Sequence, residues 1–283
     1  MGLFQATEAI AIASGLTMRF GANKTMYVYS QGSGPPVLFI HGIPTSGQLW
    51  RCVIDRLSAN FNCIAIDLPG LGRSPRTPEG LSRIDAIVGE IEDLRIQLKL
   101  DKWHMVGHDA GSAISVKYAH RFPERVDRLA LLTPSMFPEL KPFYLFEMLR
   151  QPLLGELIAP FVNLIFWKIA MRYAVASEGM DAKTAVRDFH APFLGWQGAW
   201  HLMSILRWGD PSHVLAAIPN VLPELLMPTL ILHGSHDVAV PAEFAHRAAA
   251  LIPHSRLVML ESGHFTPLNK PAGVADELLN FFN

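Results

Sequence analysis

The sequence predicts an α/β architecture: a mostly parallel central sheet, helices on both of its faces, and a helical cap inserted between two strands. Three observations carry this expectation. Short apolar runs alternate with segments of helical periodicity through about residue 135. The alternation then lapses over 136–222, where no strand is evident, and it resumes from about residue 223. The chain length, 283 residues, suits one large domain or a core carrying an insertion. The expected division is a core of 1–135 and 223–283 with a cap of 136–222.

In chain order, TMYVYS (25–30), PVLFIHG (36–42), NCIAID (62–67), WHMVGHD (103–109) and DRLALLT (127–133) are rich in Val, Ile, Leu and aromatic residues. Such runs suit strands buried on both faces. Helices are expected over 47–58, behind the capping residues Thr45 and Ser46, and over 83–98, where IVGEIEDLRIQL repeats its apolar residues at helical spacing. A third, 110–122, is closed by Phe122-Pro123. Strands and helices in alternation build a parallel sheet covered on both sides. The segments FYLFEMLRQ, FVNLIFWKIAMRYAV and GAWHLMSILRW of the insertion look helical, and the insertion holds nearly half of the aromatic residues. After it come TLILHG (229–234), a helix from Ala242 to Leu251, RLVMLES (256–262) and a closing helix over 272–282.

Composition narrows the function. Apolar residues make up 50 % and charged residues 17 %, which excludes extensive disorder. Twenty-four Lys and Arg against 25 Asp and Glu give a formal charge of −1, so nothing recruits nucleic acid or an acidic membrane surface. Cys52 and Cys63 are too few for a disulfide framework and read as reduced thiols. The first ten residues carry no basic region, and Glu8 interrupts their apolar run, so no signal peptide is expected. The most apolar stretch, 157–171, contains Pro160, Asn163 and Lys168 and is too interrupted for a membrane span. A cytoplasmic protein without a membrane partner is expected.

The sharpest motif is Gly107-His108-Asp109-Ala110-Gly111, between a strand and a helix. That is the setting of a nucleophile on a strained turn, with glycines two residues either side because a Cβ there would collide. Asp237 follows the next strand but one, in HGSHD, and His264 follows the last strand, in ESGHF. Nucleophile, acid and histidine thus come in one order at strand ends. His41-Gly42-Ile43-Pro44 follows another strand; Pro44 has no N–H, so Ile43 is the candidate oxyanion donor there, with the Ala110 N–H as the second. His233-x-x-His236 lacks the context of a zinc site, and Gly70-Leu71-Gly72 lacks the spacing of a phosphate loop, so neither metal nor cofactor is expected.

These motifs resemble the α/β-hydrolase superfamily over nearly the whole chain. HGIPTSGQLWR (41–51), CIAIDLPGLGRS (63–74) and GHDAGSAISVKYAHRFPERV (107–126) are most similar to haloalkane dehalogenases, with epoxide hydrolases close behind. The resemblance implies Asp109 as nucleophile, His264 as general base and Asp237 as the orienting acid. Some dehalogenases carry the acid one strand earlier; the corresponding place here is near Thr133 and has no carboxylate.

Aspartate changes the chemistry. An aspartate carboxylate is ionised at neutral pH without help, so the histidine is needed only in a second step, to activate water. A carboxylate attacking a saturated carbon gives a stable alkyl ester, which favours C–halogen or epoxide carbon over an ordinary ester. The expected substrate is a small apolar organic molecule, with water as co-substrate. Departures from both families concern the leaving group: Ala110 stands where dehalogenases usually place Trp, Ile43 where many place Asn or Glu, and no clear pair of cap tyrosines is present. Trp167, Trp196, Trp200 and Tyr144 are the expected pocket residues, with Trp208, Tyr173, His190 and His201 as further donors. Three alternatives stay open: a lactone or ester hydrolase with Asp109 as base toward water, a non-hydrolytic lyase or oxygenase, and an inactive ligand-binding relative.

Overall fold

The computed structural model describes residues 16–20, 24–76, 84–141, 144–170, 182–207 and 214–283. Eight strands form one sheet: β1 (Leu16–Phe20), β2 (Lys24–Gln31), β3 (Pro36–Ile40), β4 (Asn62–Asp67), β5 (Trp103–His108), β6 (Val126–Leu132), β7 (Thr229–Gly234) and β8 (Ser255–Leu260). Their order is β1-β2-β4-β3-β5-β6-β7-β8. From β4 to β8 every pairing is parallel; β1 with β2 and β2 with β4 are antiparallel. The sheet is therefore mostly parallel, as the alternation predicts. Strand β1 was not among the expected runs, and β2 runs against the rest. A parallel neighbour needs a crossover of a dozen residues or more. Only residues 32–35 separate β2 from β3, so β2 turns back along β4 instead.

Helices α1 (Arg51–Leu57), α2 (Ile84–Gln97) and α3 (Ala110–Arg121) connect the first strands. The expected helix over 47–58 splits into a 3₁₀ turn at Gly47–Trp50, capped by the Ser46 side chain accepting from the Gln48 N–H, followed by α1. Between β6 and β7 the described residues contain no strand. They carry α4 (Tyr144–Arg150), α5 (Leu154–Ile165) with a π-helical continuation at Phe166–Ala170, α6 (Ala182–His190), α7 (Gly195–Leu206) and the short α8 (Ile218–Val221). Helices α9 (Ala242–Leu251), α10 (Thr266–Asn269) and α11 (Pro271–Phe282) complete the chain.

The parallel strands β3, β5 and β7 are buried along almost their whole length, since helices cover both faces. The main core extends from the sheet into the insertion through Phe166, Trp167, Phe189, Phe193 and Leu202. A smaller core of Leu149, Ala159, Val162, Ala199 and Met203 holds α4, α5 and α7 to one another. One polar contact also joins insertion to sheet: His201 on α7 hydrogen-bonds through Nε2 to the Gly70 carbonyl at 2.6 Å.

Candidate active site

The nucleophile candidate sits on a sharp turn at the C-terminal end of β5. Asp109 has φ 52° and ψ −122°, an uncommon conformation for a residue with a Cβ. Its N–H donates to the Leu132 carbonyl at 3.1 Å, and its carbonyl accepts the Ser112 N–H at 2.9 Å, so both neighbouring elements pin it. A Cβ at Gly107 would lie 2.5 Å from the Gly111 carbonyl oxygen, and one at Gly111 would lie 2.3 Å from that of Ile40. The close approach of strand and helix that raises Asp109 thus requires both glycines.

The Asp109 carboxylate has two distinct ends. Oδ1 accepts the Ile43 N–H at 3.0 Å. Oδ2 lies 3.9 Å from His264 Nε2, beyond direct hydrogen-bonding distance, and accepts the Ser135 hydroxyl at 2.5 Å. His264 Nδ1–H donates to Asp237 Oδ2 at 2.9 Å, which leaves Nε2 turned toward Asp109. The other Asp237 oxygen accepts the N–H groups of Ala239 at 2.8 Å and Val240 at 3.0 Å, and its carboxylate is fully buried. Three residues remote in sequence therefore meet at one sheet edge, with Ile43 beside them. Ala110 opens α3, so its N–H belongs to the helix end that has no intrahelical partner.

Electrostatics follow from these contacts. Burial by itself would lower the His264 pKa, but the hydrogen bond and charge of Asp237, and the charge of Asp109, outweigh it and hold the imidazole above its ordinary range. Burial would likewise raise Asp237; the His264 bond and charge and the two backbone N–H groups overcome that, and it lies below the usual carboxylate range. The neighbouring histidines do not share this poise. Burial pushes His108 down to about 4, and its Nε2–H donates to the His264 carbonyl at 2.9 Å, fixing the loop that carries His264. His41 is also pushed to about 4 by burial. Its Nδ1–H donates to the Gly42 carbonyl at 2.8 Å and its Nε2 accepts the Leu68 N–H at 2.9 Å, which ties the Ile43 loop to the end of β4. Asp67 completes that tie. Burial raises its pKa to about 6, and it accepts from the Gly47 N–H, the Arg73 N–H and the Tyr29 hydroxyl.

Ser135 was not singled out from the sequence. It lies two residues beyond Thr133 and is a hydroxyl rather than a carboxylate, so the pattern of acids at strand ends does not mark it. The aromatic residues expected to line a pocket occupy different settings. Trp167 is buried, its indole N–H donates to Asn163 Oδ1 at 2.9 Å, and its ring stacks on His190 and Phe193. Tyr144 and Trp196 are exposed by 75 % and 70 %, and Trp200 is partly exposed. His201 is spent on Gly70 and stacks on Phe193. Trp208 and Tyr173 lie outside the described residues. Among the described residues no group of three or more His, Cys, Asp or Glu gathers as metal ligands would, and no helix is long and apolar enough to cross a membrane.

This chain belongs to the alpha/beta hydrolase fold family, which matches residues 35–271. It is 28 % identical to the cis-3-alkyl-4-alkyloxetan-2-one decarboxylase of Shewanella oneidensis, over 86 % of this chain and 80 % of that one. It is 29 % identical to the 2-hydroxy-6-oxo-2,4-heptadienoate hydrolase of Pseudomonas putida, over 87 % and 88 % respectively. Among solved structures, the haloalkane dehalogenase DbeA of Bradyrhizobium elkani superimposes with a TM-score of 0.78 at 23 % identity, covering 94 % of this chain and 96 % of that one. At that identity the likeness establishes the shared fold.

Proposed function

We propose that this protein hydrolyses a small apolar substrate at a saturated carbon, through a covalent alkyl ester on Asp109. The observation that carries the reading is the two-ended carboxylate, with Oδ1 on the Ile43 N–H and Oδ2 facing the Asp237-oriented His264. In the first step Oδ2 bonds to carbon as the carbon–halogen or carbon–oxygen bond breaks and its electron pair leaves with the halide or ring oxygen. In the second, water adds to Cγ while His264 Nε2 takes its proton. The Ile43 N–H, with that of Ala110, stabilises the oxyanion forming on Oδ1. The oxyanion then collapses, the ester C–O bond breaks, and His264 returns the proton to the departing alkoxide. The insertion 136–222 acts as the cap over this site and the remainder as its core, a role supported by the His201–Gly70 bond across the two.

A second reading is favoured by the state of the leaving-group donors. Trp167 has given its N–H to Asn163, and Ala110 and Ile43 have apolar side chains, so a halide gains little there. A strained lactone, the substrate class in the name of the Shewanella relative, carries its own driving force and could be opened with Asp109 as base toward water.

The test incubates the His264→Gln variant with alkyl bromides, epoxides or β-lactones and reads intact mass, with peptide mapping to Asp109. Alkyl halides should add the alkyl group, and epoxides their full mass; Asp109→Asn should abolish both. Unchanged mass, at concentrations that the wild type turns over, rejects the covalent mechanism. Wild-type turnover in ¹⁸O water separates the readings. Attack at Cγ labels the Asp109 carboxylate, whereas a base mechanism leaves it unlabelled.

A further inference from the structure

Helix α5 is apolar on both of its faces, and the described residues cover only one of them. Gly155, Ala159, Val162 and Asn163 turn inward, where Ala159 and Val162 pack with Ala199 and Met203 of α7. The opposite side carries Leu157, Phe161, Leu164 and Ile165, each at least half exposed, with Leu153 leading into it at 86 %. Large apolar side chains thus point outward, while the inward face uses small ones. An isolated exposed leucine is unremarkable; a continuous strip of this kind marks an interaction surface.

The chemistry of the strip selects its occupant. No exposed carboxylate interrupts it, since the one acid on α5, Glu156, is paired with Arg207. The exposed formal charge at its far end is a cation, Lys168, in the turn that continues α5. The helices packed against α5 add amphipathic rings: Tyr144 of α4, and Trp196 and Trp200 of α7. An aliphatic strip accompanied by Trp and Tyr and ended by a long cation matches a lipid–water interface, where indole and phenol rings sit at headgroup depth and a lysine reaches an anionic headgroup.

We propose that the outer face of α5 docks this protein, in plane, on the surface of a lipid bilayer containing anionic lipid, through a local apolar and cationic surface that the overall charge of −1 does not reveal. The helix does not span the membrane; its apolar face lies at the boundary of headgroups and acyl chains. The strip belongs to the insertion between β6 and β7, so docking sets that insertion against the phase in which apolar molecules concentrate.

Vesicle binding is read without turnover, so its result stands apart from that of the proposed reaction. The full chain is mixed with large unilamellar vesicles of phosphatidylcholine, alone or with 30 % phosphatidylserine, and separated by flotation. We expect the wild type to float with the phosphatidylserine vesicles. The triple variant Leu157→Gln, Phe161→Gln, Leu164→Gln, which leaves the inward face of α5 intact, should bind at least tenfold less with an unchanged circular dichroism spectrum. Lys168→Glu should weaken binding to the anionic vesicles and leave any binding to phosphatidylcholine alone unaltered. Wild type that stays in the aqueous phase with both compositions overturns the proposal, as does a triple variant that floats equally well. A lipid-free dimer in sedimentation velocity, abolished by the triple variant and accompanied by no flotation, would assign the strip to a second copy of this chain instead.

Discussion

Gly42 offers the most direct test of how the nucleophile is held. A Cβ built there lies 2.4 Å from both Cβ and Oδ1 of Asp109. Non-bonded carbons rest at about 3.5–4 Å. In Gly42→Ala, one side must therefore yield by about 1 Å. The Asp109 Cβ is itself in the clash, so relief moves the whole side chain, and with it Oδ1, the atom bonded to the Ile43 N–H at 3.0 Å. Displacing it forfeits a hydrogen bond to a charged group, about 1.5–3 kcal/mol. Misplacement by about 1 Å of a reacting group costs on the order of a hundredfold in rate. Overpacking at one site costs about 1–3 kcal/mol of stability, which in a chain of this size moves the melting midpoint by only a few degrees. The assay is the rate of ester formation on Asp109 by intact mass, in the His264→Gln background where the ester accumulates, alongside a thermal melt. We expect a loss of about a hundredfold or more in a protein that still melts cooperatively. An ester-formation rate within threefold of the parent would refute the claim that Oδ1 must sit on the Ile43 N–H for attack.

Two further substitutions probe the supports of the site. In Asp237→Asn, His264 loses the hydrogen bond and charge that raise its pKa while its burial, which lowers it, remains. Only neutral imidazole accepts a proton from water, so the acidic limb of ester breakdown should move from above the ordinary histidine range to below it. The plateau rate should fall by orders of magnitude because the Nδ1–H is no longer oriented; single-turnover breakdown across pH measures both, and a limb that stays in place would count against Asp237 as the partner. Asp67→Ala strips the acceptor from the Gly47 N–H, the Arg73 N–H and the Tyr29 hydroxyl. Each buried orphan costs about 1–3 kcal/mol, so the melting midpoint should fall by roughly 10 °C; a fall under 2 °C would show that water replaces the carboxylate.

The strand-end residues were legible because a buried parallel strand announces its own end. β5 and β7 are mostly apolar, fully buried strands that end at Gly107-His108-Asp109 and Gly234, so the residue types after them stand out against their neighbours. Direction is not written in such a run. The orientation of β2 lay instead in the four-residue link to β3, which the apolar pattern does not weigh. β1 carries the alternating pattern instead: LTMRF is five residues, apolar and polar in turn, between Gly15 and Gly21, and so does not stand out among continuous apolar runs. Ser135 was illegible for a different reason: a hydroxyl beyond a strand is common, and only the fold brings it to Asp109. The same holds for α5. Periodicity cannot say which of two apolar faces is covered.

The turn at Asp109 also shows why the reactive carboxylate belongs to the sheet rather than to the insertion. A non-glycine residue in so unusual a conformation costs about 1–3 kcal/mol and persists only where its surroundings leave it no alternative. Here the backbone is fixed on both sides, by Leu132 at the end of β6 and by Ser112 in the first turn of α3, and α3 approaches β5 and the end of β3 so closely that no Cβ fits at Gly107 or Gly111. His264 is held as firmly, by Asp237 at its ring and by His108 at its carbonyl. None of these contacts involves the helices between β6 and β7. The insertion touches the core through its own apolar side chains, through His201 on Gly70, and through Arg247 with Glu139 and Arg76 on the Pro192 carbonyl, none of which reaches Asp109, His264 or Asp237. Under the proposed mechanism, ester formation and breakdown use a frame built from the sheet and its loops, and the insertion varies independently of it. That separation is why Asp109, His264 and Asp237 can be read from strand ends, and why the proposed leaving-group donors cannot.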